Sequence, residues 1–131
     1  MEQIPFCHAG VVAFEGQVMS WIPGEYPCYR CIFEDVPDDY IPNCAETGII
    51  GAMSGIIGSV QALEAIKYIT GAGDLLLGRM FHFDGKAMKT RIINFPKKNE
   101  RCKVCGDNSV ILDVSKCENR YAYHGCDTRG L

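Results

Sequence analysis

The chain has 131 residues, a formal net charge of −3, and 47% hydrophobic against 22% charged residues, which is ordinary for one soluble globular domain and far from a disordered segment. Its thirteen Lys and Arg are scattered along the sequence, so no electrostatic footprint for nucleic acid is expected. The apolar stretches are broken by Gly, Ser and charge, so neither a secretion signal nor a membrane span is expected, and the composition points to a cytoplasmic protein.

In chain order, Gly10 to Trp21 alternates loosely, is rich in Val, Phe, Met and Trp, and is closed by Pro23-Gly24, which predicts one bent strand or a hairpin. Glu25 to Cys44 carries Pro27, Pro37 and Pro42 with Asp35, Asp38 and Asp39, which excludes a long helix and predicts a long loop. Loops of that length tend to be functional. Thr47 to Thr70 shows the strongest periodicity. Ile49, Met53, Ile56, Val60, Leu63 and Ile66 recur at helical spacing, and Gly71 supplies a stop. A second stripe of small residues, Gly48, Gly51, Gly55, Gly58, Ala62 and Ala65, follows the same spacing. Each interior glycine costs about 1 kcal/mol relative to alanine, so these residues predict a helix laid tightly on a sheet, with a backbone surface exposed to a ligand as the alternative.

Leu75 to Asp84 and Met88 to Phe95 are apolar and β-branched runs separated by Gly85-Lys86, predicting an antiparallel hairpin in which Asp84 is a turn residue. Pro96 stops the second run, and beyond Gly106 only Val110 to Val114 is apolar. The expected organisation is a domain of residues 1–106 followed by a partly ordered tail, 107–131.

Eight cysteines are many for this length, and spacing decides between disulfides and metal. Cys28-Tyr-Arg-Cys31 and Cys102-Lys-Val-Cys105-Gly106 are two C-x-x-C knuckles about seventy residues apart. Each places two sulfurs within reach of one ion, and two knuckles make a closed four-thiolate set suited to structural zinc. A redox-active dithiol is the competing reading, disfavoured because neither knuckle opens a helix after a strand. Four cysteine ligands leave no open position for catalytic water.

The strings Gly16-Gln17-Val18, Pro27-Cys28-Tyr29-Arg30-Cys31-Ile32-Phe33, Cys44-Ala45-Glu46-Thr47-Gly48, Gly58-Ser59-Val60-Gln61-Ala62-Leu63-Glu64-Ala65-Ile66-Lys67 and the second knuckle occur in order between Ile4 and Gly106. Together they resemble the MoeB/ThiF/HesA family. The resemblance implies an α/β fold: the carboxyl-terminal part of a Rossmann-like ubiquitin-activating domain, with antiparallel strands and a hairpin packed on one long Gly-rich helix beside a four-cysteine zinc site. It also implies an enzyme that uses ATP and Mg2+ to adenylate the carboxyl terminus of a ubiquitin-like sulfur-carrier protein, for molybdenum cofactor, thiamin or related sulfur transfer. Cys28, Cys31, Cys102 and Cys105 match the family's zinc ligands. The amino-terminal half of that family carries a glycine-rich nucleotide loop, and no G-x-G-x-x-G is present here. The chain is therefore expected to lack catalysis by itself and to self-associate or join a complementary ATP-binding half. The alternative is a non-catalytic zinc-stabilised module that binds other proteins.

Cys44 matches the family's loop cysteine and precedes the helix, where backbone amides favour thiolate, so it is the candidate reactive residue. Arg30 and Lys67 have structural readings, the first between knuckle cysteines and the second as a partner for Glu64. Cys7-His8, Cys117, His124 and Cys126 can bind metal but lack paired spacing.

Overall fold

The computed structural model describes residues 4–24, 26–33, 48–95, 97–107 and 109–110. Strand β1 (Phe6–Val12) pairs antiparallel with β2 (Glu15–Trp21) in a register that sets Val12 opposite Glu15. Only Ala13 and Phe14 join them, and Ala13 takes a φ of 48°, the left-handed backbone that so tight a reversal favours. Of the two arrangements expected, a bent strand or a hairpin, the hairpin is present, and it begins at Phe6, four residues before Gly10. Strand β3 (Arg79–Asp84) pairs with β2 and with β4 (Lys89–Asn94), completing a four-stranded antiparallel sheet in the order β1-β2-β3-β4. In the β3–β4 turn, Asp84 Oδ1 accepts hydrogen bonds from the backbone N–H groups of Lys86 and Ala87 at 2.9 Å each, the role expected for it. The expected Leu75 to Asp84 run becomes a strand only at Arg79, because Leu75 to Leu77 serve as the return from the helix and Gly78, at φ 62°, turns the chain into the sheet.

Between the two hairpins lie a one-turn helix, α1 (Tyr29–Ile32), and the long helix α2 (Gly51–Thr70). α2 ends where expected, on Gly71 at φ 68°, which glycine adopts without steric cost. Strand alternation turns Ala9, Val11, Val18, Phe81 and Phe83 toward α2, which answers with Met53, Ile57 and Val60. Leu76 closes this core. On the opposite face Met19 and Met80, cross-strand partners, are buried, and α1 packs there with the Tyr29 ring 4.7 Å from that of His8. The sheet thus separates α2 from the cysteine knuckles.

Two expectations about α2 are corrected. Of the anticipated apolar stripe, only Met53 is buried and Val60 half-buried, while Ile49, Ile56, Leu63 and Ile66 remain 40–55% exposed. The buried face instead runs through Met53, Ile57 and Glu64. The carboxylate sets this rotation: Glu64 is anchored by the Ser20 hydroxyl and the Leu76 backbone N–H, each donating at 2.7 Å. Successive residues differ by about 100° around a helix, so fixing Glu64 inward turns Ile57 in and Ile56 out.

The small-residue stripe does not explain the close packing either. A side chain on Gly51, Gly55 or Gly58 would meet nothing within 4 Å among the described residues. The room is made on the sheet side. A Cβ on Gly16 would collide with the Ile57 side chain, and one on Gly85 would lie 2.6 Å from Met53 Sδ.

Candidate metal centre

The first knuckle opens the one-turn α1 after β2, contrary to the expectation that neither knuckle would open a helix after a strand; metal is favoured over a redox dithiol because its thiols converge on those of the second knuckle. Cys28 is the N-cap residue of α1 in extended conformation, and the Cys31 N–H donates to the Cys28 carbonyl at 3.0 Å, closing the reversal that brings the two thiols to one side. The second knuckle is a loop stitched by Cys102 N–H to the Asn99 carbonyl at 2.9 Å and Gly106 N–H to the Cys102 carbonyl at 3.0 Å. Gly106 is required there: a Cβ would lie 2.6 Å from the Cys102 carbonyl oxygen and would also strike that of Glu100. Each knuckle is local, and the sheet brings them together.

All four sulfur atoms lie within 4.8 Å of one another. Cys28 Sγ is 3.7 Å from Cys31 Sγ and 3.6 Å from Cys102 Sγ, and Cys31 Sγ is 3.3 Å from Cys105 Sγ. A tetrahedron with zinc–sulfur bonds of about 2.3 Å has edges of about 3.8 Å, so the donor set fits that ion. All four are free thiols. Cys28 and Cys102 are buried, Cys31 and Cys105 half-buried.

Burial pushes the Cys28 and Cys31 thiols up from their ordinary range. At Cys102 burial opposes ionisation, yet hydrogen bonds from the backbone at Cys105 and Val104 outweigh it and bring the thiol down to about 7. The Val104 N–H lies 3.5 Å from that sulfur. A group poised in this way suits metal capture, in which every thiol must surrender its proton.

The other sequence candidates divide. Lys67 does pair with Glu64, and its ammonium also donates to the Asp74 carbonyl at 2.6 Å. Sequence reading missed that Glu64 itself is only 3% exposed. Burial alone would raise its pKa, but Lys67, the Leu76 N–H and the Ser20 hydroxyl outweigh it and hold the carboxyl below its ordinary range. The available clue was an acidic residue in line with Met53 and Ile57 at helical spacing. Cys7 and His8 point to opposite faces of β1: Cys7 Sγ is 3.6 Å from the Ser20 hydroxyl, whereas His8 stacks on Tyr29. Among the described residues, the four cysteines are the only group of three or more His, Cys, Asp or Glu gathered so as to hold a metal. Cys44, Cys117, His124 and Cys126 lie outside the described residues.

The chain has counterparts among known proteins. The ThiF family matches residues 1–104. The chain belongs to the ThiF family. Among its relatives, the adenylyltransferase and sulfurtransferase MOCS3 of Oryza sativa subsp. japonica is 41% identical over 107 residues, covering 81% of this chain and 24% of the relative. The MOCS3 of Drosophila grimshawi is 38% identical over 125 residues, covering 94% and 28% respectively. The chain therefore spans about a quarter of the length of these relatives. In three dimensions it resembles E. coli MccB, with a TM-score of 0.62 at 17% identity over 81% of this chain and 33% of MccB. That likeness shows the α/β fold, which is Rossmann-like as expected. No described helix is long and apolar enough to cross a membrane.

Proposed function

We propose that this chain is the zinc-binding part of an adenylyltransferase that activates the carboxyl terminus of a ubiquitin-like sulfur-carrier protein with ATP. The observation that carries the reading is the four-thiol cluster built on a ThiF-family sheet. The proposed ligands are Cys28, Cys31, Cys102 and Cys105. Zinc held there supplies no Lewis-acid chemistry, because four thiolates fill its coordination, and serves as a cross-link. The chain's own residues fix that geometry: α1 aims Cys28 and Cys31, and the loop closed by Gly106 aims Cys102 and Cys105. Residues 1–106 are the functional unit in this reading, with 107–131 a tail. Cys44 is proposed as the reactive thiol on sequence position; brief iodoacetamide treatment that left it unlabelled while the tail cysteines reacted would remove that role.

ATP and Mg2+ are assigned to a complementary half, whether part of the same natural chain or a separate polypeptide, since these 131 residues contain no glycine-rich nucleotide loop. Adenylation requires the triphosphate to be oriented and its charge offset at the attacking carboxylate. Two features support association with such a half or a second copy. Among the described strands, β1 and β4 each pair on one side only, leaving open edges. An apolar cleft of about 290 Å³ lies between the start of β1, the end of β2 and the second half of α2, where the Trp21 indole N–H is buried without a partner among the described residues.

Exchange of labelled pyrophosphate into ATP tests the reading. The chain alone should stay at background with or without a carrier protein, and adding an ATP-binding ThiF half should restore exchange. Background exchange in the reconstituted mixture, despite stable association of the two halves, would favour the non-catalytic binding module.

A further inference from the structure

The two open edges of the sheet are not alike. β4 carries Lys89 and Arg91, charges of the kind that keep a further strand away. β1 has no Lys, Arg, Asp, Glu or Pro, and its register with β2 runs without a bulge. The Ser20 N–H turns to the Leu76 carbonyl, away from β1, so the Cys7–Ser20 pair is not hydrogen-bonded. Alternation then turns the backbone groups of Cys7, Ala9 and Val11 toward the open side. Beyond Val12, a parallel bridge between Ala13 and Ile49 ends the free length.

α2 overhangs this edge. Relative to Ile57, which points into the sheet, Gly58 lies about 100° round the helix and Gln61 about 40° in the same sense. Gln61 Nε2 donates to the Cys7 carbonyl at 2.9 Å, so that flank of α2 faces the open side of β1. Gly51, Gly58 and Ala65 follow one another along it at seven-residue spacing, and the only charged residues of α2, Glu64 and Lys67, bind each other. Ile49 beside Ala13 and Gln61 beside Cys7 set α2 antiparallel to β1, with Gly58 level with Ala9.

We propose that β1 pairs antiparallel with β1 of a second copy of this chain, about a two-fold axis through Ala9. This register engages every outward residue: Ala9 meets Ala9, and Cys7 meets Val11 of the other copy. The Cys7 carbonyl has two lone pairs, one for Gln61 and one for the incoming N–H. On the knuckle face, Phe6 and Val12, both exposed, meet as aromatic and β-branched pairs. α2 packs on β1 and β2, so a strand spacing of about 4.8 Å sets the two α2 axes about 10 Å apart, within packing distance. Gly58 then faces itself and Gly51 faces Ala65 of the other copy. A face about 25 Å long and about 20 Å tall covers roughly 500 Å² on each copy, reaching the roughly 1,000 Å² in total that a specific interface needs. Strand and helix are self-complementary at the same level, which favours a second copy over an unrelated partner. The proposal deepens the association described above by naming its edge and occupant, and it does not depend on adenylation.

Sedimentation of the full metal-loaded chain over a range of concentrations tests it, and a monomer–dimer equilibrium is expected. Gly58→Glu places two carboxylates at the axis, where nothing among the described residues stands within 4 Å in the monomer. It should weaken the dimer at least about tenfold with helical circular dichroism and zinc content unchanged. Val12→Lys, which gives β1 the guard that β4 has, should do the same, whereas Ile92→Lys on β4 should behave as the parent. Helix axes about 10 Å apart leave facing Cα atoms roughly 5–6 Å apart, within disulfide reach. Gly58→Cys should therefore cross-link to itself on mild oxidation, as located by peptide mapping, and Gly51→Cys should link only when mixed with Ala65→Cys. The proposal is overturned if the chain stays monomeric at every concentration, if Ile92→Lys weakens the dimer as much, or if Gly51→Cys self-links as readily as Gly58→Cys. A monomer that joins an ATP-binding half and exchanges pyrophosphate would overturn the dimer and leave the adenylyltransferase reading standing. A dimer linked through Gly58→Cys would support the interface whether or not exchange is restored.

Discussion

The two faces of the sheet are held by different means. On one side α2 buries Met53 and Ile57 against Val18 and Phe83, a small apolar core of interlocking shapes. On the other, Met19 and Met80 are buried beneath α1, while the buried residues of the knuckles themselves include the small Pro27, Cys28 and Cys102. The first face can hold by exclusion of water. The second needs a bond-like tie, which is why small or weakly packed regions recruit metals. The contrast teaches that α2 and the knuckles should fail separately.

The largest expected effect is on the knuckle side. Chelation of the metal, or Cys102→Ser, should lower stability by about 4 kcal/mol, the loop-closure value for a link across a sequence separation of 74 residues. Zinc content should fall in step while the helical circular dichroism of α2 persists below the new melting temperature. Unchanged zinc and melting would mean that other atoms hold the ion.

Next comes the helix side. Ile57→Ala should cost about 3 kcal/mol by opening a cavity over Gly16, whereas Ile66→Ala, at a position 55% exposed, should change urea unfolding by no more than about 0.5 kcal/mol. Equal losses would put Ile66 in the core and restore the face expected from periodicity.

Glu64 sharpens the same comparison through pH. Its carboxyl is held below the ordinary value of 4.5 in the folded chain. Its contribution is therefore complete above that value and is lost as pH falls through the lower folded-state pKa. Glu64→Gln should cost about 2 kcal/mol at neutral pH, and the gap from the parent should narrow in acid. A gap that widened on acidification would reverse the assigned direction.

The smallest effect is a gain. Gly55→Ala should stabilise the isolated chain by about 1 kcal/mol, because nothing stands where the methyl group would go. Destabilisation in the isolated chain would show that this face of α2 is already covered.

The knuckles were legible in the sequence because ligand chemistry imposes a local turn, so Cys28-x-x-Cys31 and Cys102-x-x-Cys105 announce themselves without any knowledge of the sheet. The existence of α2 and its stop at Gly71 were legible because apolar spacing and a terminal glycine are also local signals. Its rotation was not. Ile56 and Ile57 are adjacent and chemically identical, and so both faces satisfy the apolar period. The choice between them rests on Ser20 and Leu76, 44 and 12 residues from Glu64. The glycines misled in a similar way. They marked a close approach on the wrong partner, since Gly16, unremarkable in a strand, is the residue that lets Ile57 in.

The wide separation of the knuckles also gives the site a place in time. Synthesis at about 5–20 residues per second delivers Cys102 roughly 4–15 seconds after Cys28, since 74 residues separate them. A nascent chain ending short of Cys102 offers an ion only the first knuckle's two sulfurs, half of the proposed ligand set. Metal capture at all four thiols thus becomes possible only after both hairpins and α2 have been made, and it marks a chain whose translation has run past its second knuckle.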